Sequence, residues 1–240
     1  MSLRFEELDY RETSIGELSL RRRLVSELAD LEVYEIKLRD SFLMSSLFHE
    51  AEVALADLAL AGREGPMDVV VGGLGLGYTA KAALGHPAVR SVLVIEALEP
   101  VIDWHRSHLV PLGKDLCGDP RCRLLHGDFF KMAQTPASGF DPTRAGERVH
   151  AILLDIDHSP RNLLADSSAS FYSTKGLTAL AAHLHPGGIF GMWSDGTPDE
   201  AFVQLLRTAI GSTEAKVVSF DNPLTGGQSS STVYLAACRT

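Results

Sequence analysis

The stretch Asp68-Val69-Val70-Val71-Gly72-Gly73-Leu74-Gly75-Leu76-Gly77 decides the fold. Three consecutive valines are typical of a parallel strand that is buried on both faces. The glycines that follow tolerate the backbone angles of a tight turn and let a ligand approach the chain closely. The stretch therefore predicts a strand, a turn and a helix that begins at a ligand site, with Gly73, Gly75 and Gly77 as candidate contacts. A tight turn without a ligand is the alternative.

An acidic residue at the end of the next apolar run supports a nucleoside ligand. Tyr78 stands where the dinucleotide fingerprint has its third glycine, which argues against NAD binding. Glu96 ends the run 91–95, and a carboxylate at that strand tip can accept hydrogen bonds from both hydroxyls of a ribose. A helix cap or a solvated carboxylate is the alternative role for Glu96, and Glu99 is a competing candidate.

Apolar runs alternate with helical periodicities along the rest of the chain. Strands are predicted at 91–95, 123–126, 151–154 and 189–193, and helices at 46–60, 79–84, 100–109, 174–184 and 200–210. This alternation is typical of a doubly wound α/β sheet. No helix separates the last two strands, 216–220 and 231–236, so we predict an antiparallel hairpin there. The fold class is therefore a Rossmann-like sheet of the S-adenosylmethionine methyltransferase type. Residues 134–148 predict a surface loop.

The first residues have a different pattern. Val33–Leu38 alternates apolar and polar side chains with a period of two, as a half-buried strand does. A turn at 39–41 and a returning strand at 42–44 complete a hairpin. We expect a small β-hairpin appendage over residues 1–45, followed by a nucleoside-binding α/β domain over residues 46–240.

Composition and charge exclude several classes of protein. The 240 residues have a formal net charge of −9, and the basic cluster Arg21–Arg23 is better explained as a solvated strand end than as an RNA-binding patch. Apolar runs are too short for a membrane span, and the first residues do not resemble a secretory signal. We expect a soluble cytoplasmic protein without a nucleic-acid or membrane partner.

The three cysteines predict neither a disulfide framework nor a metal site. They are Cys117, Cys122 and Cys238, too few for a framework and odd in number. The four-residue gap between Cys117 and Cys122 does not fit the common zinc sites. We therefore expect reduced thiols and no bound metal.

Polar residues follow the predicted strands at 123–126 and 151–154. Asp128 could accept a hydrogen bond from an adenine amine, with Phe129 and Phe130 beside the base, although Asp is also a preferred helix cap. Asp155, Asp157 and His158 fall at the edge where open α/β sheets bind ligands. Carboxylates there can hold a cationic amine or accept its proton, and a histidine adds an acid or base near neutral pH. A polar loop with capping carboxylates is the alternative.

In this order the motifs resemble those of the polyamine aminopropyltransferases, the family of spermidine synthase, over about residues 30–195. Phe48-His49-Glu50 is similar to the family's Tyr-His-Glu, and the glycine stretch is similar to its Gly-Gly-Gly-Asp-Gly-Gly loop. Glu96 falls at the family's ribose-binding acid, Asp128 at its adenine-binding acid and Asp155 at its catalytic Asp.

The resemblance implies a transferase with an N-terminal β domain, decarboxylated S-adenosylmethionine as co-substrate and commonly a homodimer. A small-molecule diamine would accept the aminopropyl group, and Asp155 would deprotonate the attacking amine. Gly73, Gly75 and Gly77 would hold the donor.

Three positions differ from the family pattern. Gly75 replaces the loop Asp that holds the donor's amino group, Phe48 replaces Tyr, and the second acid of the catalytic strand is displaced to Asp157 or replaced by His158. Without the loop carboxylate, intact S-adenosylmethionine and methyl transfer to an amine or another nucleophile become an alternative. A non-catalytic adenosyl-binding or assembly module is a third hypothesis.

Overall fold

The computed structural model describes residues 4–239 of the chain. Within them, the strands are β1 (Phe5–Thr13), β2 (Gly16–Val25), β3 (Leu31–Leu38), β4 (Ser41–Ser45), β5 (Met67–Gly72), β6 (Val89–Glu96), β7 (Cys122–His126), β8 (Val149–Leu154), β9 (Leu184–Asp195), β10 (Gly211–Asn222) and β11 (Gly227–Cys238). The helices are α1 (Glu50–Leu60), α2 (Tyr78–Gly85), α3 (Glu99–Arg106), α4 (Gly113–Gly118), α5 (Phe129–Ala133), α6 (Thr174–Ala181) and α7 (Glu200–Ala209).

The central sheet has the strand order β10-β11-β9-β8-β5-β6-β7. Neighbouring strands from β7 to β9 pair in parallel, whereas β11 runs antiparallel to both β9 and β10. This topology confirms the predicted doubly wound sheet and the predicted antiparallel pairing of the last two strands. The carboxyl ends of β5, β6 and β8 therefore meet at one edge of the sheet.

Strand β5 lies at the centre because its side chains enter two separate cores. All residues of Met67–Gly72 are buried. Val69 and Val71 pack into the core under α1 to α4, and Val70 packs into the core under α5 to α7. Full burial of one valine contributes roughly 1.5–3 kcal/mol, so the run of three valines strongly favours this central position.

The N-terminal sheet is larger than the predicted hairpin. It has four antiparallel strands in the order β1-β2-β3-β4. Strand β1 was not predicted because its sequence is mostly polar, and cross-strand ion pairs such as Arg22 with Glu6 hold the sheet in place of an apolar alternation. Arg23 pairs with Glu35 in the same way, so Arg22 and Arg23 of the basic cluster lie in ion pairs on a strand. The division into two domains after residue 45 stays a prediction.

The two sheets share one core. Leu18, Leu20 and Ile36 of the small sheet are at most 1% exposed and join the apolar cluster under α1 to α4. The Trp104 indole on α3 also donates a hydrogen bond of 2.7 Å to the Asp9 carboxylate on β1. The small sheet is therefore part of the wall of the α/β core.

Two local predictions were wrong about where elements end. The helix predicted over 174–184 ends at Ala181, and β9 already begins at Leu184, so the Pro186-Gly187-Gly188 turn signal lies inside a strand. The register of β8 with β9 shifts at this point, which accommodates the turn residues.

Helices α4 and α5 were missed because five or six residues are too few to show a helical period. The predicted loop at 134–148 is confirmed.

Among residues 4–239, no helix combines the length and the apolar character that crossing a lipid bilayer requires. Cys117, Cys122 and Cys238 are free thiols.

Candidate active site

A cavity of about 130 Å³ opens where β5, β6 and β8 end and where the small sheet meets the α/β core. Ligands of open α/β sheets bind at this edge. Predicted site residues that line the cavity are Gly73, Gly75, Glu96, Asp128, Asp155 and His158. Further lining side chains, which sequence reasoning did not assign, include Ile36, Leu43, Met44, Glu52 and Trp193.

A larger cavity of about 280 Å³ lies at the opposite edge, where the parallel strands begin. Most of its charged side chains are in ion pairs, as Arg123 is with Asp141 and Arg144 is with Glu147. This cavity therefore has no group of carboxyls without basic partners.

The glycine loop after β5 is held between two strands. Gly73 has φ +94°, and a Cβ atom there would lie 2.1 Å from the carbonyl oxygen of Asp155. Gly75 has φ +47°, and a Cβ atom there would lie 2.8 Å from Met44 Sδ. The Leu76 N–H donates to the same sulfur at 3.1 Å. The thioether of Met44 therefore occupies the space in which a side chain at residue 75 would begin.

Gly77 lies outside the cavity lining, contrary to its predicted contact with a ligand. Its φ is +95°, and a Cβ atom there would lie 2.5 Å from Leu116 and 2.9 Å from His105. Gly77 therefore lets the start of α2 pack closely on α3 and α4.

His105 of α3 supports the glycine loop from below and is fully buried. Its Nε2 lies 2.9 Å from the Gly75 carbonyl oxygen, and burial lowers its pKa to about 4. The ring is therefore neutral near pH 7, and Nε2–H donates to the loop. His105 thus fixes the glycine loop from the core side.

Glu96 ties the glycine loop to the end of β6. One carboxylate oxygen accepts the Leu74 N–H at 2.9 Å and the other accepts the Leu98 N–H at 2.8 Å. Burial raises the pKa of Glu96 against these bonds. Each carboxylate oxygen can accept a second hydrogen bond, so the group can hold the loop and still accept from a ribose hydroxyl.

The placement of Asp128 is compatible with both of the roles that the sequence left open. Its carboxylate accepts the Lys131 N–H at 3.1 Å and caps α5, and it also lines the cavity. Phe129 is 2% exposed and stacks on Phe140 in the core at 5.2 Å between ring centroids. Phe130 is half-buried, so its ring is the more accessible surface for a base.

Asp155 shares the cavity with a second acid, Glu52 of α1. The Thr79 hydroxyl donates to Asp155 at 2.7 Å, yet burial raises the pKa of Asp155 to about 6. Burial and the negative charge of Asp155 raise the pKa of Glu52 to about 8. Near pH 7 the two carboxyls therefore hold one proton between them, as acids and bases in active sites often do.

Glu52 was missed because its position in α1 carries no sequence signal. It lies just beyond the singled-out Phe48-His49-Glu50 segment, none of which lines the cavity. The Phe48 ring packs 6.0 Å from that of Phe220, and Glu50 is exposed. Only the packing of α1 against the end of β8 brings Glu52 to Asp155.

Asp157 lies outside the cavity lining, so its placement gives no support to its predicted role in catalysis. It is 1% exposed, and its carboxylate accepts the Leu164 N–H and the Tyr172 hydroxyl, both at 2.7 Å. The chain bends after β8, so Asp157 turns toward the segment that follows and orders it. His158, the next residue, does line the cavity.

One polar group at the cavity has no hydrogen-bond partner among the described residues. The Trp193 indole nitrogen is buried and has no hydrogen-bond partner within residues 4–239, although the side chain lines the cavity. In that part of the chain, no group of three His, Cys, Asp or Glu side chains could hold a metal ion.

The Glu52–Asp155 pair predicts that stability falls as pH rises. Both folded-state pKa values, about 8 and about 6, lie above the ordinary values of 4.5 and 3.8. The folded protein therefore binds more protons than the unfolded chain between about pH 4 and pH 8, and this contribution to stability is lost across that range.

In calorimetric melting, the Glu52→Gln variant should lose the larger part of this pH dependence. It should keep the smaller part, which comes from the burial of Asp155. Parallel pH profiles of the wild type and the variant would contradict this account of the pair.

The close approach of the loop to β8 predicts a large cost for Gly73→Ala. The added Cβ atom meets the Asp155 carbonyl in a left-handed backbone, so we expect a loss of about 2–5 kcal/mol in the free energy of unfolding. Gly62→Ala is the matched control, since Gly62 has φ +66° but open space around it, and should cost about 1 kcal/mol. Urea denaturation measures both, and equal losses would argue against the steric account.

Sequence comparison relates the chain to enzymes of polyamine synthesis. It is 28% identical over 188 residues to polyamine aminopropyltransferase 2 of Pseudomonas aeruginosa, covering 73% of this chain and 48% of that protein. It is 26% identical over 132 residues to the polyamine aminopropyltransferase of Pyrobaculum calidifontis, covering 54% of this chain and 44% of that protein. The chain thus spans about half the length of these relatives. No protein-family model matches it.

Solved structures share the fold. Spermidine synthase from Thermotoga maritima superposes with a TM-score of 0.71 at 14% identity, over 96% of this chain and 72% of that one. A spermidine synthase in complex with the transition-state analogue AdoDATO matches equally well. Human methyltransferase-like protein 13 in complex with SAH has a TM-score of 0.52 at 16% identity, over 79% of this chain and 78% of that one. The chain is thus similar in sequence to polyamine aminopropyltransferases, and it shares its fold with spermidine synthases and with a methyltransferase-like protein.

Proposed function

We propose that the chain is a transferase that binds S-adenosylmethionine or its decarboxylated form and transfers the aminopropyl group to an amine. The observation that carries the proposal is the placement of Asp155. Its carboxyl lines the same cavity as the nucleoside candidate Glu96 and the second acid Glu52, and burial raises its pKa to about 6. A carboxyl with such a pKa is suited to accept a proton near pH 7.

The adenosyl part of the donor fits the residues at the ends of β6 and β7. Glu96 has acceptor positions left for the ribose hydroxyls, and Asp128 can accept from the adenine amine. Phe130 offers an aromatic surface to the base. Gly73 and Gly75 carry no side chains of their own, so the donor can approach the loop backbone beside Met44.

The reaction needs an amine with a free electron pair. An ammonium group that enters the cavity gives one proton to the ionised Asp155, and the neutral amine nitrogen attacks the carbon beside the sulfonium. The new C–N bond forms as the C–S bond breaks, and its electron pair goes to sulfur, which becomes a neutral thioether. The product is a secondary ammonium, so the positive charge moves from sulfur to nitrogen. Such a transfer depends mostly on holding the two reactants in line.

Methyl transfer from intact S-adenosylmethionine is the second candidate, and the loop supports it. Gly75 has no carboxylate, and Met44 places a thioether in that space. An apolar surface there gives no counter-charge to a donor tail that ends in an amine alone.

A non-catalytic adenosyl-binding module stays the third hypothesis. A homodimer and a cytoplasmic location stay predictions.

A panel of three ligands tests the proposal. A ligand that binds only the folded state raises the melting temperature. We expect decarboxylated S-adenosylmethionine and methylthioadenosine to raise it more than S-adenosylmethionine does, as measured by thermal shift. The reverse preference would favour methyl transfer, and no shift from any of them would favour the non-catalytic module.

Asp155→Asn tests the chemical step. The amide cannot accept the amine proton, so the rate of aminopropyl transfer should fall by a factor of about 10²–10⁴, while methylthioadenosine binding stays within a few-fold of wild type. The rate is measured as methylthioadenosine formed from the donor with a panel of amines. A variant that transfers at nearly the wild-type rate would rule out Asp155 as the base.

A further inference from the structure

The cavity holds more negative charge than a nucleoside requires. Four carboxyl side chains line it: Glu52, Glu96, Asp128 and Asp155. Glu96 holds the glycine loop and Asp128 caps α5, and both lie where the adenosyl group is proposed to bind. The other two remain for a different part of the ligand.

Glu52 and Asp155 have little compensation from the protein. The lining of the cavity within residues 4–239 includes no lysine or arginine. Asp155 accepts one hydrogen bond, from the Thr79 hydroxyl, and no side chain in that part of the chain donates to Glu52. Two neighbouring carboxyls in a cavity without a cation are costly to the fold, and an apolar residue at position 52 would remove that cost. Such a pair is therefore a candidate for binding a cation that comes from outside.

The remaining walls are suited to the alkyl part of an amine. Ile36, Leu43 and Met44 of the small sheet contribute apolar surface to the same cavity. Trp193 contributes an aromatic ring, which attracts an ammonium group by a cation–π interaction. Asp157, two residues after Asp155, lies outside the cavity lining, and its carboxylate is used by Leu164 and Tyr172. The cavity thus offers one place for an ammonium group, and no second acid pair for another.

We propose that Glu52 is a substrate-binding residue whose carboxylate, together with that of Asp155, binds the single ammonium group of a primary alkyl monoamine. This inference rests on the proposed function and deepens it by naming the class of acceptor. The entering ammonium displaces the proton that the two carboxyls otherwise share, so that both are ionised around it. Glu52 then holds the amine, and Asp155 takes its proton before attack. The alkyl chain lies against Ile36, Leu43 and Met44, where a second ammonium would lose its hydration without gaining a counter-charge.

Isothermal titration calorimetry in the presence of methylthioadenosine tests the inference with three probes of similar size. We expect n-butylamine to bind at least as tightly as 1,4-diaminobutane, and the neutral n-butanol to bind at least tenfold more weakly. Glu52→Gln should weaken n-butylamine binding about tenfold or more, because the amide has no charge to pair with the ammonium. Glu52→Asp should retain part of the affinity.

Asp57→Asn is the matched control on the same helix. The Asp57 side chain is 59% exposed and lies outside the cavity lining, so this variant should bind n-butylamine as the wild type does. Methylthioadenosine should bind all of these variants equally.

Two results would overturn the inference while the proposed function stands: wild-type affinity for n-butylamine in Glu52→Gln, or tenfold tighter binding of 1,4-diaminobutane than of n-butylamine. Failure of the wild type to bind n-butylamine while it binds methylthioadenosine would do the same. If methylthioadenosine itself does not bind, the proposed function fails and the inference fails with it.

Discussion

The close approach of the Gly73 backbone to the end of β8 is the constraint on which the site depends. The Asp155 N–H donates to the Gly72 carbonyl at 2.8 Å, and the Gly73 N–H donates to the Ile95 carbonyl at 2.9 Å. The loop thereby joins the ends of β5, β6 and β8 in one layer. No side chain fits at Gly73, because its Cβ atom would overlap the Asp155 carbonyl. This contact sets the distance between the loop that would hold a donor and the carboxyl that would receive a proton.

The small N-terminal sheet completes the site from the other side. Its Met44 contacts the glycine loop through sulfur, and its Ile36 is fully buried at the cavity wall. The hydrogen bond from Trp104 to Asp9 connects β1 of this sheet with α3 of the α/β core. Any change in how this sheet packs would therefore change the shape of the cavity, although none of the candidate nucleoside contacts belongs to it.

The carboxyl pair of Glu52 and Asp155 lowers the stability of the fold. Glu52 and Asp155 both have raised pKa values because burial disfavours their charged forms. A cationic ligand would reduce the free-energy cost of burying these two carboxyls. That reduction would contribute to the free energy of binding. His105 is the opposite case, since burial keeps its ring neutral and it serves only to hold the loop.

Local patterns in the sequence determined the central sheet. Three patterns follow one another in the sequence: the valine run of β5, the glycines after it, and the acids at the ends of β6 and β8. The valine run predicts a buried strand, and the glycines predict a tight turn at the sheet edge where ligands bind. Predictions about single side chains were weaker. Asp157 is two residues from Asp155 but faces away, because the chain bends after β8.

Only the tertiary structure decided which side chains meet. Gly77 was assigned to a ligand contact, but it lies with His105 in packing contacts between α2, α3 and α4. Strand β1 was invisible because its partners are charged residues on another strand. Glu52 lies 103 residues before Asp155 in the chain, and nothing local marks it. The sequence determined the elements because their signals are local, whereas the acid pair depends on how α1 packs against the sheet.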